Sequence, residues 1–187
     1  MPPEPGQPIF YYDLGSPACY LAAERIMAEL PVVPEWEPVF GPDLGVAQPA
    51  AEPQRWRLEV DAQDLQPLRW PADWPPDTRL AMLAATYAKR VGRAVAFSLA
   101  AFRQAFAGGR DLSDENTVLI AAAACEMHPT AVLKGIGLRS VAGALKVAGE
   151  RARDGGVASL PAIQVGDRVF EGGDIVQRAA AALTAIT

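Results

Sequence analysis

The chain is poor in the side chains that carry most enzyme chemistry. Among its 187 residues are two cysteines, Cys19 and Cys125, and one histidine, His128. The cysteines lie far apart and form no C-x-x-C pair, so their spacing indicates neither a zinc site nor a disulfide framework. One histidine excludes a His-rich metal site, and a Ser-His-Asp triad would rest on His128 alone. In EMHPTA it stands before Pro129 at a helix–helix junction, where a structural or solvated role is expected. Long apolar runs are missing too: the longest, VLIAAAAC at 118–125, is far too short to cross a bilayer. The opening MPPEPGQP has neither the basic nor the apolar region of a signal peptide, so the expected location is the cytoplasm. Positive charge is scarce. The net charge is -5 and the lysines are Lys89, Lys134 and Lys146 only. With no basic run to offset it, that balance argues against nucleic acid and anionic membrane as partners.

What is present is an ordinary core. Half of the residues are apolar and 21% are charged, as in a soluble chain of one domain with room for an inserted subdomain. IFYYDL (9–14) reads as a buried strand, and a helix through CYLAAERIMAEL stops at Pro31. VPEWEPVF (33–40) reads as a second strand, completing a β-α-β unit. Residues 41–77 are expected to be irregular, because PLRWPADWPPD is too proline-dense for a helix or central strand. The tryptophans at 36, 56, 70 and 74 are read as caps on the core ahead of ligand contacts. Helical spacing with glycine stops then marks 78–92, 93–109, 111–127 (opening on a cap-like Ser113), 129–137 and 138–156. Strands at 162–165 and 168–171 flank a Gly166-Asp167 turn, and a helix begins at Asp174. The order is that of an α/β thioredoxin fold with an inserted all-helical subdomain: 8–40 and 157–187 the thioredoxin-like domain, 41–77 the connection, 78–156 the insertion.

One turn carries the chemistry. Gly15-Ser16-Pro17-Ala18-Cys19 leads from the first strand into the first helix, with serine at the N-cap and proline at the first helical position. A disulfide oxidoreductase would place its attacking cysteine where Ser16 stands. Cys19 alone can form a mixed disulfide but cannot pass an intramolecular disulfide across the turn. It also suits the inside of a helix as a small apolar residue.

FYYDLGSPACYLAAERI, FRQAFAGGRDLSD and GVASLPAIQVGDRVFEGGD, in this order, resemble the DsbA-like superfamily. They are closest to its glutathione-using branch, the 2-hydroxychromene-2-carboxylate isomerases and kappa-class glutathione transferases. The resemblance runs from about residue 8 to 185 and is weakest over 41–75. It implies that glutathione or another low-molecular-weight thiol is the cofactor, without a metal, and that a small electrophile is the substrate. It implies that Ser16 donates a hydrogen bond to the thiol sulfur. It also implies a cis Leu160-Pro161 bond facing the Ser16 turn, with the Leu160 backbone pairing strand-like with the thiol peptide. Gly173 and Asp174 would hold the γ-glutamyl end, although Asp174 through Gln177 also reads as a capping box. Members often form homodimers, and no apolar stripe in this sequence marks such an interface.

The sequence departs from the family at three places. Ala18 replaces an aromatic residue, Gly173 stands where a larger polar residue is common, and Cys19 is unusual. Two other functions therefore stand beside the thiol-dependent isomerase or transferase. One is a thiol–disulfide oxidoreductase of the DsbA type with an altered SPAC motif. The other is a thiol-binding protein without catalysis.

Overall fold

A computed structural model describes residues 7–45, 56, 60–61, 67–72 and 74–185. Strand β1 (Ile9–Tyr12) is built from aromatic and β-branched residues that suit a buried strand. It pairs in parallel with β2 (Glu35–Pro38), Phe10 opposite Trp36. On its other side it pairs antiparallel with β3 (Ala162–Val165), Tyr11 opposite Ala162. A tight turn through Gly166, whose φ of 57° suits glycine, brings β4 (Arg168–Glu171) back against β3. The sheet order is β2-β1-β3-β4.

Alternation along the strands sorts side chains onto two faces. Phe10, Tyr12 and Ile163 point into the larger core with Trp36. There they meet α1 (Pro17–Glu29) through Cys19, Tyr20, Ala23 and Ile26, and α7 (Ile175–Thr184) through Val176 and Ala179. Tyr11 and Ala162 face a smaller core completed by Ala148 and Ala152 of α6 (Arg139–Asp154). Between β2 and β3 come α2 (Arg79–Arg90), α3 (Ala94–Phe102), α4 (Glu115–Ala124), α5 (Pro129–Ile136) and α6. Buried Glu37 on β2 joins this block to the sheet: Lys89 of α2 and Arg151 of α6 each reach its Oε2 at 2.6 Å.

Local chemistry moved several expected boundaries. The helix expected over 93–109 is α-helical only to Phe102 and continues as a π-turn over Arg103–Ala107. That wider turn lets Arg103 grip Glu24 with two bonds of 2.8 Å and sets Phe106 among Tyr20, Trp70 and Trp74. Ser113 does not cap α4. Its hydroxyl and amide are both taken by Asp111, and Asp114 caps through Asn116 N–H at 3.1 Å. Residues 41–77 are not irregular throughout: Gly41–Leu44 form a 3₁₀ turn, and Trp56, Val60 and Asp61 are helical. Most of 46–66 lies outside the described residues, whereas 67–72 and 74–77 carry neither helix nor strand. Trp36 is buried in the core, and Trp70 and Trp74 pack on that core and meet each other edge to face, their ring centroids 4.5 Å apart.

Candidate functional site

The candidate residues gather at one end of the sheet. β1 and β2 end there and β3 begins there, because Tyr11 lies opposite Ala162 in the antiparallel register. The Ser16 turn follows β1, Leu160-Pro161 precedes β3, and Gly173-Asp174 follows β4 at that same end.

Ser16 occupies the N-cap of α1 with extended backbone (φ -99°, ψ 117°). Its Oγ accepts the Cys19 amide hydrogen at 3.3 Å and its own N–H donates to Asp13 O at 3.1 Å. A serine hydroxyl has one donor and two acceptor positions, so capping leaves the O–H to be donated elsewhere. Cys19 is fully buried, and burial pushes its thiol up to about 12, with the Ser16 side chain and an Asp13 backbone hydrogen bond opposing that rise. It therefore supplies almost no thiolate at neutral pH. Cys125 closes α4, its sulfur turned to the Ala121 and Ala122 carbonyls, and burial raises its pKa as well.

Asp13 is a feature that the sequence did not single out. Its buried carboxylate accepts from Gly15 N–H at 2.8 Å and Thr78 O–H at 2.9 Å through Oδ1, and from Gly41 N–H at 2.7 Å through Oδ2. Desolvation raises its pKa, against the pull of these three donors. One carboxylate thus fixes the Ser16 turn, the exit from β2 and the start of α2.

The Leu160-Pro161 bond is cis. Leu160 is half-buried, and its N–H and C=O engage no partner among the described residues. The loop before it is held by Glu171, also unforeseen, whose Oε1 accepts Ala158 N–H at 2.6 Å and Ser159 N–H at 2.8 Å. Arg178 donates to the carbonyls of Glu171 at 2.9 Å and Gly173 at 3.5 Å, tying down the following loop.

Asp174 is exposed, and the capping-box expectation fails there. Its backbone is left-handed (φ 55°), so its side chain makes no cap bond to α7. The first amides of α7 consequently lack a side-chain acceptor from Asp174; the Glu29 hydrogen bond chiefly raises the Arg25 pKa, and the Asp174 carboxylate adds a smaller push the same way. A Cβ on Gly173 would meet nothing within 4 Å, leaving the space of the larger residue open. Ala18 is half-buried. His128 caps α5, its Nδ1 accepting Thr130 N–H at 3.2 Å. Among the described residues no group of three or more His, Cys, Asp or Glu is placed to hold a metal ion, and no helix is long and apolar enough to cross a membrane.

A DSBA-like thioredoxin domain matches residues 9–184. The chain belongs to the DSBA-like thioredoxin domain family. Its solved structural neighbours differ in activity. A 2-hydroxychromene-2-carboxylate isomerase superposes with a TM-score of 0.76 at 17% identity, covering 96% of this chain and 95% of that one. A probable DsbA oxidoreductase from Streptomyces coelicolor gives 0.73 at 18% identity, covering 96% and 88%. The cytosolic disulfide reductase DsbM from Pseudomonas aeruginosa, solved with GSH, gives 0.66 at 12% identity, covering 96% of each chain. At these identities the neighbours share the DSBA-like fold, and no curated protein matches the sequence.

Proposed function

We propose that the protein binds glutathione or another low-molecular-weight thiol and uses it as an isomerase or transferase on a small electrophile. The observation that carries this reading is the pairing at the turn: a serine hydroxyl with an O–H to give, beside a cysteine too buried to ionise. The nucleophilic sulfur must then come from a ligand. A bound thiol supplies a thiolate that adds reversibly to an electrophilic carbon.

The residues present fit such a ligand. The unpaired Leu160 backbone offers a donor and an acceptor to an extended peptide. The Asp174 carboxylate suits an ammonium group, and the amides opening α7 suit a carboxylate. Ser16 orients the sulfur, and its hydroxyl and the positive end of α1 favour the charged form. These groups bind, orient and hold charge without a protein nucleophile. A DsbA-type exchange reaction is disfavoured by the same turn, since Cys19 is the resident sulfur there and is fully buried. Isothermal titration of the protein with glutathione and other small thiols tests the reading. Saturable binding that Ser16→Gly alters supports it; no binding of any thiol overturns it.

A further inference from the structure

Where the 3₁₀ turn and the start of α2 meet α6 lies a cavity of about 470 Å³. That volume falls within the range of small-molecule sites, about 300–1,000 Å³. Its walls among the described residues are Asp43 of the 3₁₀ turn, Arg79 at the start of α2, and Ala142, Leu145, Lys146, Gly149, Glu150 and Arg153 of α6. Two of these walls are tied to Asp13, through Gly41 and Thr78.

The charges in the cavity do not cancel. Three cations, Arg79, Lys146 and Arg153, face two carboxylates, Asp43 and Glu150. Their ion pairs are long: Arg79–Asp43 is 3.4 Å and Lys146–Glu150 is 3.7 Å. Elsewhere Arg25–Glu29 and Arg151–Glu37 close to 2.6 Å and Arg103–Glu24 to 2.8 Å, the lengths of charge-assisted hydrogen bonds. Arg153 spends a donor on the Asp43 backbone carbonyl and, among the described residues, has no carboxylate within ion-pair distance. Arg79 lies over the Phe40 ring at 4.3 Å, while exposed Ala142 and the buried Leu145 and Gly149 of α6 are the apolar part of the lining.

We propose that this cavity is a binding site for a small organic acid, its carboxylate held by Arg79, Lys146 and Arg153 and its apolar body lying on α6. The site is separate from the Ser16 hydroxyl and does not depend on the thiol reading.

Isothermal titration at low ionic strength, with amide chemical shifts followed at Ala142 and Gly149, tests this with benzoate as the probe. Benzamide serves as the uncharged control and inorganic phosphate as the anion without an apolar body. Saturable benzoate binding that shifts those amides and weakens about tenfold in the Arg79→Gln/Lys146→Gln double variant is expected, the sum of two exposed charge contacts. Both side chains are largely exposed, so the double variant should melt like the parent. Ser16→Gly should bind benzoate normally, which separates this site from the thiol site. Absence of saturation in the parent, equal binding of benzamide or phosphate, or an unchanged double variant would each overturn the proposal.

Discussion

The Cys19 amide hydrogen is bound by the Ser16 hydroxyl oxygen at 3.3 Å, and that same side chain opposes the rise that burial gives the Cys19 thiol pKa. Capping and donation are thus not rival roles for Ser16. A neutral thiol is a weak acceptor, so a ligand thiolate placed at the turn would be the stronger acceptor for the Ser16 O–H.

Replacing Ser16 separates these roles. Ser16→Ala should lower stability by about 1 kcal/mol, whereas Ser16→Gly should retain most of the cap. Both lose a charge-assisted bond worth roughly 1.5–3 kcal/mol to the thiolate. The pKa of a bound thiol should therefore rise by roughly one to two units, read by thiolate absorbance across a pH titration. An unchanged titration in Ser16→Gly would reduce Ser16 to a helix cap.

Cys19 should be chemically silent. Burial pushes its thiol up to about 12, so the thiolate is nearly absent at pH 7. Alkylation of the native protein by iodoacetamide should miss Cys19 in peptide mass spectra and label it once the chain is unfolded. The protein should also fail to catalyse insulin reduction. Turnover above a thiol-only control that disappears in Cys19→Ala would favour a redox enzyme instead.

Asp13→Ala should cost more than any Ser16 variant, because it strands the buried amides of Gly15 and Gly41. Each such donor left without an acceptor costs about 1–3 kcal/mol, measurable by urea unfolding. The charge itself has the opposite sign. Burial raises the folded pKa of Asp13 above its unfolded value near 3.9. The folded chain holds this proton at pH values where the unfolded chain has lost it. Its stability contribution is full below the unfolded pKa and falls as pH rises through the folded one. The stability advantage of the parent over Asp13→Asn should therefore narrow as pH rises through that window.

Glu171→Ala should loosen the segment before Pro161 without disturbing the Ser16 turn. Hydrogen exchange should speed up at the Ala158 and Ser159 amides, both of which donate to Glu171. If a thiol docks on Leu160, its affinity should fall while its bound pKa stays as in the parent. Unchanged exchange at both amides would show that Glu171 does not hold the loop.

Much of the fold was legible because its signals are local. Ser16-Pro17 announced a helix start by cap and ring chemistry within two residues, and the strands at 162–165 and 168–171 fell where alternation and the Gly166 turn put them. The candidate residues Ser16, Leu160-Pro161 and Gly173-Asp174 reach one end of the sheet by strand order alone. Asp13 and Glu171 were not legible as organisers. Two of the three partners of Asp13 lie 28 and 65 residues away, and those of Glu171 lie across a hairpin. Asp174 misled because a capping box assumes extended backbone, and the approach from Gly172 and Gly173 delivers it left-handed instead.

The three bonds to Asp13 also set where relative motion would be smallest. The chain leaves the sheet at Gly41 and enters the helical block at Thr78, and both points are pinned to the residue three places before Ser16. A rocking of α2–α6 against the sheet would pivot close to this carboxylate. Displacement grows with distance from a pivot, so the parts of the block farthest from Asp13 would sweep the widest arc. Ser16 would stay nearly still, its aim kept while the surrounding walls breathe.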